Sequence, residues 1–154
     1  MSLVELFKPC FALVVKAIKN DDTIDAISPA RLLMEANAAL DNAVRNAPDS
    51  LDAHSLFLAR RIVAAWMDER LTDENWSGKD AWALCPLQTA LKDEKRPGQW
   101  FFDALRTLNP EKEVDRELAE LSLYCLDLGL YEQTFASRDE YTRQYWNLAG
   151  RFGL

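Results

Sequence analysis

Apolar residues recur along almost the whole chain at the 3.6-residue spacing of an amphipathic α-helix. The first such stretch covers residues 3–18 and is interrupted by the polar segment KNDDT. A second predicted helix opens at Ser28-Pro29, where an N-cap residue precedes proline at the first helical position, and it runs up to residue 48. A third starts at residue 49 or 50 and extends to about residue 71. The spacing of apolar residues therefore predicts three long helices in the first half of the chain.

The second half begins with a polar segment, TDENWSGKD, which predicts the longest central loop. A short helix is predicted around residues 82–91, with Pro86 kinking or restarting it because proline removes one intrahelical hydrogen bond. Gly129 is a plausible C-cap of a strongly apolar helix, and Ser137 opens an S-x-x-E capping box. The further predicted helices cover residues 99–108, 114–128 and the segment after Ser137.

Period-2 alternation is nearly absent, and no Asn-Gly or Asp-Gly hairpin turn occurs. No repeat of about 30 to 45 residues is visible, which disfavours a helical solenoid. The sequence thus predicts an all-α protein of about seven helices. With 154 residues, 49% of them hydrophobic, it has the size and composition of one globular domain over residues 1–154.

The acidic net charge of the chain argues against some classes of binding partner. The net charge is −7, which disfavours binding to nucleic acid or to anionic lipid headgroups. The stretch near the N-terminus is broken by charges and does not read as a signal peptide, and no run of 18 apolar residues predicts a membrane span. We expect the chain itself to be soluble.

Residues that could carry catalysis or bind a metal are scarce. Cys10, Cys85 and Cys125 are far apart in apolar stretches, and we expect buried free thiols. His54 is the only histidine, and no paired spacing of cysteine and histidine supports a zinc site. No P-loop, G-x-G-x-x-G, G-x-S-x-G or H-E-x-x-H motif occurs. The sequence therefore predicts no catalytic residues, no metal and no cofactor.

Two pairs of adjacent acidic residues stand out, Asp68-Glu69 and Asp93-Glu94. Neighbours on a helix point about 100° apart, so neither pair forms the facing carboxylates of acid–base hydrolysis. One interpretation is a solvated helix face with ion-pair partners on the same helix. The other is a groove whose carboxylates face solvent and receive a basic partner, with nearby tryptophans as apolar anchors. The tryptophans considered for this role are Trp76 and Trp82.

The order of particular segments adds a resemblance. The run RRIVAAWMDERL, then NW, then WALCPLQTALKDEKRPGQWFFDALRTL, then ELAELSLYCLDLGL resembles the cytoplasmic domain of the DotU/IcmH/TssL family of type VI and type IVB secretion accessory proteins. In that family an Asp-Glu pair ends a helix, a loop carries Trp, and a segment F-H-N-E-x-W-G-G-x-x-F-F leads into the next helix. The chain departs from this last segment at Lys92, Asp93, Arg96 and Pro97, so it resembles a divergent member.

The resemblance implies two small helical bundles with a cleft, held at the cytoplasmic face of the bacterial inner membrane by a C-terminal transmembrane anchor that this chain lacks. It implies no reaction. The implied partners are an IcmF-like inner-membrane protein and the cytoplasmic baseplate of the secretion system, and whether the domain forms a homodimer is left open. The partner-binding cleft would be bordered by Asp68, Glu69, Trp76, Asp93 and Glu94. Two alternatives remain: a helical adaptor or regulatory protein without a membrane anchor, and an enzyme that uses the acidic cleft.

Overall fold

The structure is a computed structural model, and it describes residues 2–87, 98–131 and 137–154. Within these ranges the chain forms seven α-helices and no strand, which confirms the all-α prediction. The helices are α1 (Leu3–Lys19), α2 (Pro29–Arg45), α3 (Ala53–Asp73), α4 (Lys79–Leu84), α5 (Gln99–Arg106), α6 (Glu113–Asp127) and α7 (Arg138–Phe152).

Side-chain caps fix where four of the helices begin. The hydroxyls of Ser2, Ser28 and Ser137 each accept a hydrogen bond from the backbone N–H three residues later, at 3.1–3.2 Å. The predicted starts of α2 and α7 are thereby confirmed. The third helix begins later than predicted, because the carboxylate of Asp52 accepts from the backbone N–H of Ser55 at 2.8 Å and acts as the N-cap.

Two helix ends show what proline and glycine do locally. Helix α4 runs from Lys79 to Leu84 and ends before Pro86, so no kinked helix continues through the proline, which disfavours helical backbone in the residue before it. The predicted restart after Pro86 falls on residues outside the described ones. Helix α6 ends as predicted, with Gly129 in the left-handed region at φ 92°. The N–H of Gly129 donates to Leu126 O, and the N–H of Leu130 donates to Cys125 O, both at 3.0 Å. This pair of hydrogen bonds is a Schellman motif.

The helices pack around α3, which contacts α1, α2, α4 and α6. Helix α3 is buried on nearly every side, since the run from Ile62 to Asp68 is buried without a break. Helices α1 and α2 also contact each other, α1 contacts α6, and α7 joins through α6. One cluster of buried apolar residues includes members of all seven helices. This packing fits the expected arrangement in bundles.

The three cysteines divide by position. Cys10 and Cys125 are buried free thiols, as predicted, and burial raises the pKa of Cys10 to about 11 and that of Cys125 still further. Cys85 is exposed, so the prediction of burial is wrong there. The reason is its place after the last residue of α4, where the chain leaves the core before Pro86.

In the part of the chain that the structure describes, no helix combines the length and the apolar character needed to cross a bilayer.

Candidate functional site

The Asp68-Glu69 pair lies in the last two turns of α3. Because adjacent helical positions diverge by about 100°, the two carboxylates serve different neighbours. Asp68 binds the segment of α4 and the residues after it, whereas Glu69 binds the turn after α6. The end of α3 therefore joins two parts of the chain that are distant in sequence.

Asp68 is buried, with 8% of its surface exposed. One carboxylate oxygen, Oδ1, accepts hydrogen bonds from the indole Nε1 of Trp82 at 3.0 Å and from the backbone N of Leu87 at 2.8 Å. These contacts hold α4 and Leu87 against α3. The expectation that Asp68 faces solvent is wrong, because two N–H groups of the protein take the place of water around it.

Both tryptophans considered as apolar anchors belong to the core. Trp76 is 5% exposed and Trp82 1% exposed. The indole Nε1 of Trp76 donates to the carbonyl of Leu71 at 2.7 Å. Its ring lies so close to Gly78 that a Cβ there would sit 2.4 Å from Trp76 Cη2. The glycine in the central loop thus makes room for a buried tryptophan.

Glu69 is mostly buried, with 15% of its side chain exposed. Its Oε1 accepts from the backbone N–H of Tyr131 at 2.7 Å and lies 3.6 Å from Nη2 of Arg70. Burial raises the pKa of the Glu69 carboxyl to about 7, and the nearby Asp73 raises it as well, while the Tyr131 N–H and Arg70 lower it. Tyr131 itself has φ 58°, an uncommon conformation for a residue with a side chain.

Two more side chains of α3 bind the same turn. Trp66 Nε1 donates to the carbonyl of Leu128 at 3.2 Å, and Arg70 Nη2 donates to the carbonyl of Gly129 at 3.4 Å. A Cβ at Gly129 would lie 3.3 Å from the Arg70 guanidinium, so glycine permits both the positive φ and this approach. Together with Glu69, these contacts fix the turn at residues 128–131. We call the contacts of Asp68, Glu69, Trp66 and Arg70 the α3 junction.

Exposed acidic charge lies one turn beyond the predicted pair. The side chains of Asp73 and Glu74 are each 44% exposed and lie 3.8 Å and 3.5 Å from the Arg70 guanidinium. Neither residue is among the site candidates proposed from the sequence. Their position at the end of a long helix, before a polar loop, could have indicated that they are exposed. The second predicted pair, Asp93-Glu94, lies outside the described residues.

The single histidine of the chain lies far from the predicted acidic pair. His54 is exposed in the first turn of α3, 14 residues before Asp68, which is ~21 Å along a helix axis. Within the described ranges no group of three or more His, Cys, Asp or Glu side chains could hold a metal ion. The carboxylates of the α3 junction accept hydrogen bonds from the protein itself, and those of Asp73 and Glu74 face solvent.

Comparison with protein families identifies the chain. The family model described as "Type VI secretion system protein DotU" matches residues 2–145, nearly the whole sequence. Comparison with curated proteins and with solved structures gives no match. The residues of the resemblance drawn from the sequence fall within the matched range, and the helical fold agrees with it. The chain therefore belongs to the DotU family and is a component of a type VI secretion system.

Proposed function

We propose that this protein is a non-enzymatic structural subunit at the cytoplasmic face of the bacterial inner membrane. There it binds an IcmF-like membrane protein and recruits the cytoplasmic baseplate. The observation that carries the proposal is the family match over residues 2–145. The match does not favour the alternative of a free helical adaptor, and no motif in the sequence favours an enzyme.

The surface we assign to partner binding is the acidic edge, formed by Asp73 and Glu74 at the end of α3. Both carboxylates are half exposed, so a basic partner reaches them directly. The fold does not have to open a buried ion pair for this contact. The α3 junction lies directly behind this edge and holds it in place through contacts on both sides. In this view Asp68 and Trp76 position the surface, and Glu69 borders it.

The proposal is tested by pull-down of the purified chain with the cytoplasmic part of the IcmF-like protein from the same host. The variant Asp73→Lys with Glu74→Lys reverses two exposed charges at the acidic edge. A matched control reverses two exposed acids of the α1–α2 loop, Asp22→Lys with Asp25→Lys. Circular dichroism establishes that both variants keep the fold before binding is measured.

We expect the α3 variant to lose most of its binding and the loop control to keep it. Binding of the native chain should also weaken as salt is raised, because the contact is electrostatic. Equal binding by both variants would remove the acidic edge from the site. Failure of the native chain to bind either the IcmF-like protein or baseplate proteins would refute the proposed function itself.

A further inference from the structure

A second surface feature lies between the end of α6 and the first turns of α7. It is a shallow depression of about 180 Å³. Three of the residues around it are aromatic, and one is a carboxylate. We call it the aromatic depression, lined chiefly by Leu126, Asp127, Arg138, Tyr141, Tyr145 and Trp146.

The aromatic rings are held in place by the ends of both helices. The hydroxyl of Tyr141 donates to the carbonyl of Leu126, which fixes the first ring against the last turn of α6. The hydroxyl of Tyr145 donates to Oδ2 of Asp127 at 3.2 Å. The rings of Tyr145 and Trp146 meet edge to face, with centroids 5.3 Å apart and planes at 80°. The depression is therefore ordered before any partner arrives.

Trp146 gives the depression an open apolar side. Its side chain is 63% exposed, whereas Trp66, Trp76 and Trp82 are at most 5% exposed and Trp100 is half-buried. Exposing so large an indole leaves apolar surface in water, and tryptophan is enriched among the residues that dominate binding energy at protein interfaces. Trp146 therefore offers an apolar contact surface that the core of the described residues does not use.

The charges favour a cationic guest. Aromatic faces attract ammonium and guanidinium groups, and Asp127 adds a carboxylate at the same place, in a chain of net charge −7. The pKa of Tyr145 is raised by burial and then by the charge and hydrogen bond of Asp127, so the phenol stays a neutral donor. Arg138 also lines the depression and already has a contact within the chain. The ring open to a guest is that of Trp146, which is 63% exposed.

We propose that the aromatic depression binds a basic side chain, an arginine or a lysine, presented by an exposed segment of another protein. The guest lies over the indole of Trp146 and pairs with the carboxylate of Asp127. This contact is separate from the acidic edge of α3 and does not depend on the function proposed above. It gives the chain a second docking surface on α6 and α7.

The probe is the blocked tripeptide acetyl-Gly-Arg-Gly-amide, titrated into the full chain while the indole N–H signals are followed by NMR. Two control peptides carry citrulline, which keeps the shape of arginine without its charge, or norleucine, which keeps only an apolar chain. We expect a saturable shift of the Trp146 signal with the arginine peptide and none with the controls. Raising the salt concentration should weaken the binding.

Variants locate the contact. Trp146→Ala and Asp127→Asn should each weaken binding of the arginine peptide about tenfold, as expected for removing a cation–π face or a paired charge. In the alanine variant the tyrosine ring signals replace the indole as reporter. The matched controls are Phe57→Ala, another exposed aromatic, and the exposed Asp49→Asn, and both should bind like the native chain.

Three results would overturn the proposal. The first is an equal shift with the citrulline or norleucine peptide, which would make the depression a non-specific apolar patch. The second is unchanged binding in the Trp146→Ala and Asp127→Asn variants. The third is a dimer of the native chain by sedimentation that Trp146→Ala dissolves, since the occupant would then be a second copy.

Discussion

The α1–α2 contact and the α3 junction hold the same molecule together by different means. Helices α1 and α2 contact each other, and each carries fully buried apolar side chains such as Phe7, Leu32 and Leu40. In the described residues no side-chain hydrogen bond joins the two helices. The α3 junction instead uses carboxylates, an indole and a guanidinium aimed at individual backbone groups. Apolar packing depends on shape and area, whereas each polar contact depends on one donor and one acceptor.

The largest expected effect lies on the apolar side of this comparison. Phe7→Ala should lower the free energy of unfolding by about 4 kcal/mol, because it removes a fully buried ring and leaves a cavity between α1 and its neighbours. Urea unfolding followed by far-UV circular dichroism measures it. Phe57→Ala is the control: its ring is 64% exposed, and its removal should cost under ~0.5 kcal/mol. Equal costs for the two variants would contradict the assignment of Phe7 to the core.

The contribution of the α3 junction to the free energy of unfolding should depend on its hydrogen-bonding groups rather than on side-chain volume. Asp68→Ala leaves the Trp82 indole N–H and the Leu87 N–H without this acceptor and should cost about 2–3 kcal/mol. Asp68→Asn keeps the oxygen that accepts both hydrogen bonds but loses its negative charge, and it should cost about half as much. Urea unfolding followed by tryptophan fluorescence measures both. If the alanine and asparagine variants prove equally stable, the hydrogen bonds do not carry the contact.

Glu69 should make stability depend on pH. Its pKa is about 7 in the folded chain against 4.5 for the free side chain, so the folded state holds the proton more tightly. Stability is then greatest below about pH 4.5 with respect to this group and falls as pH rises towards 7, by an amount on the order of 3 kcal/mol. Glu69→Gln should remove that part of the slope.

Urea unfolding at several pH values between 4.5 and 8 measures the slope for both chains. A residual slope is expected in the Glu69→Gln variant, because burial followed by the charges of Glu113 and Glu120 also raises the pKa of Glu117. Identical slopes in the two chains would show that Glu69 is ionised in the folded state throughout this range.

The same contrast explains what the sequence could predict. The stripe of α1 and the Ser28 cap of α2 are local signals, so the helices and much of the core followed from spacing and cap chemistry. The Asp68-Glu69 pair was found, but its burial was not, because its partners Trp82 and Tyr131 come from distant parts of the chain. Helix α3 is buried on nearly all sides, so its pattern showed no polar face to distinguish Asp68 from an exposed acid.

The smallest expected change in the free energy of unfolding comes from reversing the exposed charges next to the α3 junction. Asp73→Lys with Glu74→Lys reverses two charges that contact the same Arg70 guanidinium, yet both side chains are 44% exposed, so water screens the lost ion pairs. Lysine near the C-terminal end of α3 also interacts favourably with the helix dipole, which offsets part of the repulsion from Arg70. We expect unfolding free energy to change by under ~0.5 kcal/mol in urea titrations. A loss as large as that of Asp68→Ala would show that the acidic edge belongs to the junction and stabilises the fold, and it would argue against its use as a binding surface.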